Sequence, residues 1–453
     1  MPSNRAPNAA LRHLVREADI KYEALATRVN ALGIQYGLAL RYDKTSVSHW
    51  IRGTAPAGIV PLLICRVLAE RLRRTVHPTD AGFAPTGTNE AEAGLAYHPS
   101  LASTVKEIEL LRRYDMERRE FLRSSTYASA AVVAASGHWL DRPPDPPATR
   151  TATSPRVGTP DVTRVRATLT AFQDLDVAHG GGHTRPLALH YLRSVLDLHD
   201  GNYTETTGRA LRRATAELLI AIGLMSYDVG HHQAAQRYLI QATRMAQAAD
   251  DPPLGARALT ILSHQALHLG QPAHAVELAR RARNGAPRAT PGAKAVFHVF
   301  EARAHSGTGD IPAAEAAIKR AEHHFARARP DDEPDWTRTY TRAELAGEIA
   351  WTYRDLGLPA QTRRYAAEAA AHPATMLRAH GFNHALLATT ALQDNDIELA
   401  CAHGRTALHH AAQVMSDRVQ DSVHDVLTRL RPHAAHPRVK DLADEFTAAF
   451  PHR

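Results

Sequence analysis

The sequence predicts an all-α chain, a small basic head of short helices followed by a long helical solenoid. Three observations carry this. Four apolar stripes at helical spacing crowd the first eighty or so residues. From about Leu187 onward a turn residue and two alanines recur five times in fixed register. The net charge of +7 is concentrated at one end: through Asp80 there are twelve Lys and Arg against six Asp and Glu, an excess of +6. With 453 residues, 44% apolar and 22% charged, the chain is long enough for two or three domains with sizeable cores.

In the head, Asn8–Ala18 carries Leu11, Leu14 and Val15, and Tyr22–Leu32 carries Leu25, Ala26, Val29 and Leu32. Asp43 is placed to cap a third short helix, and Gly53 and Pro56 end it. Within it Val47, Trp50 and Ile51 share an inward stripe, while Lys44, Thr45, Ser46, Ser48 and His49 point outward. Small, polar and cationic side chains suit a helix pushed into the DNA major groove. Ile59–Arg71 supplies the fourth stripe. Four short helices with a small-residue-flanked third one form the layout of a compact helix-turn-helix domain over residues 1–84. The excess of positive charge there favours phosphate contact through counterion release.

The residues Leu25-Ala26, Leu32-Gly33, Val47-Ser48, Trp50, Arg52-Gly53 and Pro56 resemble the repressor-like helix-turn-helix family over roughly residues 8–80. Two departures stand out: Gly33 and Val47 are 14 positions apart, with an extra Ile34–Leu40 segment, and Ile51 occupies a position often acidic in the family. The expected DNA contacts are Lys44, Thr45, Ser46, Ser48 and His49 in the groove, with Arg41 and Arg52 on phosphates.

Residues 85–100 read as a linker. Connecting helices follow over 101–140; the first, from Leu101 to Arg123, has Val105, Ile108, Leu111 and Tyr114 along one stripe and serves docking or dimerisation. Residues 141–159 form a second, Pro-rich linker. Thr159 then caps and Pro160 opens a new helix, which Gly180-Gly181-Gly182 breaks as a hinge.

Residues 160–453 form the helical-repeat domain. Gly230, Gly270, Gly309, Gly357 and Asn395 align as turn residues that tolerate positive φ. Five positions later stand Ala235, Ala275, Ala314, Thr362 and Ala400; twelve positions later, Ala242, Ala282, Ala321, Ala369 and Ala407. Small residues at both places let a second helix pack closely on its partner. This spacing resembles the tetratricopeptide repeat, with a longer third interval that marks an inserted loop at Arg329–Asp335. A concave groove lined by the first helix of each pair follows, and Glu344, Glu348, Trp351, Asn383 and His384 are its candidate effector contacts. The resemblance implies a groove asparagine that bonds an extended peptide backbone, here Asn383.

Catalysis has nothing to stand on. No Gly-x-Ser-x-Gly, Walker or dinucleotide fingerprint is present, and His264–His268 lacks the adjacent glutamate of a zinc enzyme. No cofactor or metal is expected. Cys65 and Cys401 fall in separate domains, the N-terminus lacks the apolar core of a secretory leader, and the apolar run Ala128–Ala135 is too short to span a bilayer. The expectation is a cytoplasmic protein without membrane contact.

A helix-turn-helix head joined to a tetratricopeptide-like solenoid resembles a class of bacterial transcription regulators. Asp115–Leu122, Tyr227–Gly230 and the Ala/Arg-rich composition look most like its actinobacterial branch, associated with repression of sporulation and antibiotic production in streptomycetes. The resemblance implies a homodimeric repressor that binds a double-stranded operator and senses a peptide, small molecule or protein. The alternative is a tetratricopeptide scaffold or antirepressor that does not bind DNA.

Overall fold

The computed structural model describes residues 7–35, 40–54, 56, 60–72, 74, 76, 78, 80–83, 93–117, 128–141 and 155–451. The inner part of the Ile34–Leu40 segment, most of the Pro-rich linker and the end of the expected Leu101–Arg123 helix lie outside them. The described residues are all-helical, with a single isolated bridge between Arg156 and Asn202 in place of any strand. No helix among them is long and apolar enough to cross a membrane. The chain divides into two compact units, residues 1–96 with 128–134 and residues 97–127 with 135–453.

The first unit is built on four helices: α1 (Ala9–Glu17), α2 (Tyr22–Gln35), α3 (Lys44–Ile51) and α4 (Val60–Leu72). Their apolar stripes meet in one core, with Leu11, Leu25, Val29, Val47, Ile64 and Leu68 all buried. Asn8 ties this core at three points. Its side chain accepts from Leu11 N at 2.9 Å and donates to Ala81 O at 2.9 Å, while its backbone N–H donates to Ile51 O at 2.9 Å. Gly82 turns beside it at φ +63°, where a Cβ would lie 2.3 Å from Asn8 Oδ1.

The second unit contains α5 (Leu101–Glu117), the C-terminal half of α6 (Ser129–Asp141), and then α7 (Thr159–His179), α8 (Gly181–Asp197), α9 (Glu205–Asp228), α10 (His232–Ala248), α11 (Pro252–His268), α12 (Pro272–Gly285), α13 (Pro291–Gly307), α14 (Ile311–Phe325), α15 (Asp335–Arg338), α16 (Arg342–Asp355), α17 (Pro359–Ala369), α18 (Leu377–Gln393), α19 (Ile397–Ala411), α20 (Asp417–Leu430) and α21 (Pro437–Ala449). From α7 onward they stack in a repeat-like array of antiparallel pairs, an α-solenoid.

Five of the pairs close through the same turn. Gly230, Gly270, Gly309, Gly357 and Asn395 have φ of 69°, 70°, 71°, 71° and 61°. Behind each, the next N–H donates five residues back: His231 to Ser226 O, Gln271 to Ala266 O, Asp310 to His305 O, Leu358 to Tyr353 O and Asp396 to Ala391 O, at 2.8–3.2 Å. This is the Schellman arrangement, which satisfies the last carbonyls of the first helix and reverses the chain. The small positions are buried throughout, from Ala235 and Ala242 to Ala400 and Ala407. Thr362 fits because its hydroxyl donates to Leu358 O at 2.9 Å, leaving only its carbon face to the neighbouring helix.

Two expectations are corrected and one is sharpened. Gly180–Gly182 is no hinge: Gly180 has φ +86°, and a Cβ there would sit 2.7 Å from Met415 O, while one on Gly181 would sit 2.7 Å from Met225 O. Glycine is required because three backbones converge. The inserted loop at Arg329–Asp335 folds onto the solenoid, since the Glu333 carboxylate accepts from Gly292 N at 2.7 Å and Thr290 Oγ1 at 2.5 Å, at the open start of α13. The buried stripe of α5 is Thr104, Ile108, Leu111 and Asp115, which packs on α8 and α10. Asp115 pairs with the buried Arg185 and accepts from Tyr238 Oη at 3.0 Å, so this face belongs to the chain's own interior and not to a dimer seam.

Candidate functional site

Two places gather exposed or unsatisfied polar chemistry, one in each unit. In the first, Asp43 caps α3: it accepts from Ser46 N at 2.8 Å, and Ser46 Oγ lies 2.9 Å from the same carboxylate oxygen and 3.3 Å from Asp43 N. The backbone and side-chain bonds from Ser46 hold the Asp43 carboxyl below the usual carboxylate range. Upstream, Asn30 clamps the approach to α3, donating to Tyr42 O at 2.8 Å and accepting from Tyr42 N at 2.9 Å. Tyr42 meets Trp50 edge-to-face at 5.0 Å. These bonds fix the entry and rotation of α3 from α2, however long the segment between them. Gly53, at φ 103°, then ends the helix.

Lys44, Thr45, His49 and Arg52 are exposed and Ser48 is half-buried, opposite the buried Val47, Trp50 and Ile51. Lys44, Thr45, Ser48, His49 and Arg52 line one side of a concavity of about 470 Å³, with Lys21, Tyr22 and Glu23 from the start of α2 on the other. Two expected residues stand apart. Ser46 is taken up by the cap, and Arg41, though exposed, is not part of this concavity. The contribution of α2 was not expected. Its signal in the sequence is only that Lys21 and Tyr22 open a helix adjoining α3.

In the second unit the first helices of successive pairs surround a cavity of about 940 Å³. The array turns far enough for α18 and the segment before α20 to meet α7 and α9. Arg378 bonds Asp176 at 2.8 Å and Asp228 at 2.9 Å, Ser416 Oγ donates to Asp228 at 2.8 Å, and Met415 N donates to His179 O at 2.9 Å. The two carboxylates outweigh the desolvation of Arg378 and hold its guanidinium firmly charged. The solenoid is thereby clasped into a closed circuit around the cavity.

Of the expected effector contacts, Glu344, Glu348, Trp351 and Asn383 line this cavity. Glu344 is partly committed, accepting from Thr341 N at 2.6 Å and Thr341 Oγ1 at 3.0 Å, and burial pushes its carboxyl up. Glu348 pairs with Arg303 at 3.4 Å, and Trp351 carries Arg354 on its face at 4.3 Å. Asn383, only 7% exposed, donates through Nδ2 to Ala366 O at 3.3 Å, and its Oδ1 has no hydrogen-bond partner. His384 is corrected. One residue further along a helix turns about 100°, and it faces α19 instead, its Nδ1 3.1 Å from His403 Nδ1. Burial, with His403 and His410 beside it, lowers the His384 pKa to about 4.

The sequence reading missed Tyr227, Arg303, Phe382 and Arg418 on the cavity wall. Arg418 lies on α20, whose pair joins through a short 3₁₀ turn at Arg431–His433 with no glycine, so the repeat register passes over it. Among the described residues no cluster of His, Cys, Asp or Glu could hold a metal ion, and both cysteines are buried and free.

Residues 11–84 match the family described as the SP15 N-terminal domain, which covers most of the first unit and none of the solenoid. No curated protein matches the chain.

Proposed function

We propose that this protein is a sequence-specific DNA-binding transcription regulator, a repressor whose solenoid dimerises and senses an effector. In this reading the first unit is a helix-turn-helix domain and the pairs are tetratricopeptide-like. One observation carries it: Lys44, Thr45, Ser48, His49 and Arg52 form an outward polar face on a helix anchored from behind by Trp50 and Ile51. Short hydroxyl and imidazole side chains on a rigid helix can meet base edges, while Lys21, Lys44 and Arg52 neutralise phosphates. The +6 excess of the first eighty residues acts in the same direction. The resemblance of both halves to bacterial regulators supports the assignment by analogy.

The test is binding of the full-length protein to its own upstream DNA across a salt series, with unrelated DNA alongside. Affinity for the upstream fragment should exceed that for unrelated DNA and fall steeply as salt rises. Replacing Thr45, Ser48 and His49 by alanine should lower discrimination by about 1–3 kcal/mol per lost base contact without unfolding the head. Salt-insensitive binding, or discrimination that survives the triple variant, would sink the reading.

A further inference from the structure

Five arginines line the solenoid cavity, and four of them are matched to carboxylates. Arg303 pairs with Glu348 at 3.4 Å and Asp355 at 3.3 Å, Arg354 with Asp355 at 2.7 Å and Asp425 at 3.0 Å, Arg378 with Asp176 at 2.8 Å and Asp228 at 2.9 Å, and Arg429 with Asp425 at 2.9 Å. Arg418 differs. It forms no ion pair among the described residues and lies instead against ring faces, 4.4 Å from the centroid of Tyr227 and 5.1 Å from that of Phe382. A half-buried guanidinium on aromatic faces and without an ion pair keeps edge N–H groups for an anion, with the carboxylate of Asp421, one turn along α20, lining the same cavity.

The surroundings agree with an anion of limited size. Tyr227, 1% exposed, has a hydroxyl without a hydrogen-bond partner, as has the 7% exposed Asn383 at Oδ1. His264 and His268 flank Tyr227 at 5.7 and 5.6 Å between ring centroids. Burial drives both imidazoles down, His268 to about 4, so they add no positive charge near neutral pH. Beyond Arg418, Phe382 and Trp351 meet edge-to-face at 6.5 Å and supply ring surface to the wall between the guanidiniums they carry. The volume of about 940 Å³ suits one small molecule.

We propose that the cavity binds a small carboxylic acid with an aromatic or alicyclic body. Its carboxylate sits on Arg418 beside the Tyr227 hydroxyl, and its body lies against the exposed ring surface of Phe382 and Trp351. This deepens the reading of the solenoid as an effector site and rests on it. The test contains no DNA, so failure of DNA binding and failure of this site remain distinguishable.

Isothermal titration of the full chain with 3-phenylpropionate and 2-naphthylacetate, and with their neutral amides, decides the matter. Each acid should bind about tenfold tighter than its amide, the difference a charge-assisted bond supplies. Arg418→Gln should erase that difference without changing amide binding, and Arg418→Lys should restore part of it. The melting temperature of each variant checks that the fold persists. Acids that bind no tighter than their amides, or not at all, would overturn the proposal. So would unchanged acid binding in Arg418→Gln, or inorganic phosphate binding as tightly as the acids.

Discussion

The two units place their charge in opposite ways. In the head an apolar core supports polar side chains that face outward, and α3 with its C-cap residue offers Lys44, Thr45, His49 and Arg52 to solvent. In the solenoid the charged side chains turn inward, where guanidiniums stack on rings and meet carboxylates around a cavity. The outward set suits an extended, strongly charged partner whose attraction is screened by salt. The inward set suits a small partner that exchanges water for fixed dipoles, with little salt dependence. On the proposed reading one chain carries two recognition surfaces that differ in kind.

The sharpest way to break this contrast is to remove the support of the outward face. Trp50→Ala, at a site 4% exposed, should cost the head about 3–5 kcal/mol. Denaturant unfolding followed by circular dichroism should then show an early transition for the head and an unchanged one for the solenoid. A single shifted transition would mean that the two units do not fold independently. Next comes the clasp. Asp228→Ala leaves Gly181 N and the Ser416 hydroxyl short of an acceptor and removes one of the two carboxylates on Arg378. It should cost the solenoid about 3 kcal/mol, the low end for a broken buried pair because Asp176 remains. Stability unchanged within error would demote the clasp to a passive contact.

Acid should sharpen the comparison without any mutation. Burial is the main cause that lowers the pKa of His268 and of His384 from 6.5 to about 4. The unfolded chain therefore takes up protons that the folded solenoid refuses, so stability is full above pH 6.5 and is lost progressively as pH falls towards 4. The urea midpoint of the solenoid transition, measured at successive pH values, should decline across that window. A flat profile would contradict the neutral, buried state of these rings. The smallest effect concerns the turns. Gly270 has φ +70° and open space around its missing Cβ, so Gly270→Ala should cost only about 1 kcal/mol of backbone strain. Gly270→Asn should cost less still, since Asn395 already occupies the equivalent place at φ 61°.

How much of this was legible depends on the distance over which each feature is encoded. The turns were legible because a residue at positive φ must be glycine or a tolerant substitute, and the partner helix demands alanine at fixed offsets. The face of α3 was legible because eight residues suffice to display its period. The double role open to Ser46 was not: a serine in a first turn can cap or reach outward, and only its position against Asp43 decides. The phase of α18 was likewise hidden, which is why Asn383 lines the cavity while His384 does not. The clasp joins residues 150 (Arg378 and Asp228) to 236 (Met415 and His179, 415 − 179) positions apart, and no local pattern couples Arg378 to Asp228 or Asp176.

The clasp has a consequence for the length of the protein. An open stack of helix pairs can gain or lose a member and simply become longer or shorter. A stack in which α18 and the segment before α20 bond back to α7, through Arg378 with Asp176 and Met415 with His179, has a fixed circumference over the helices between them. Each pair must turn the path by its share, so a duplicated or deleted pair leaves a gap or a collision where the ends should meet. The number of pairs is then set by geometry, and the chain can vary in the side chains it turns inward far more freely than in its count of repeats.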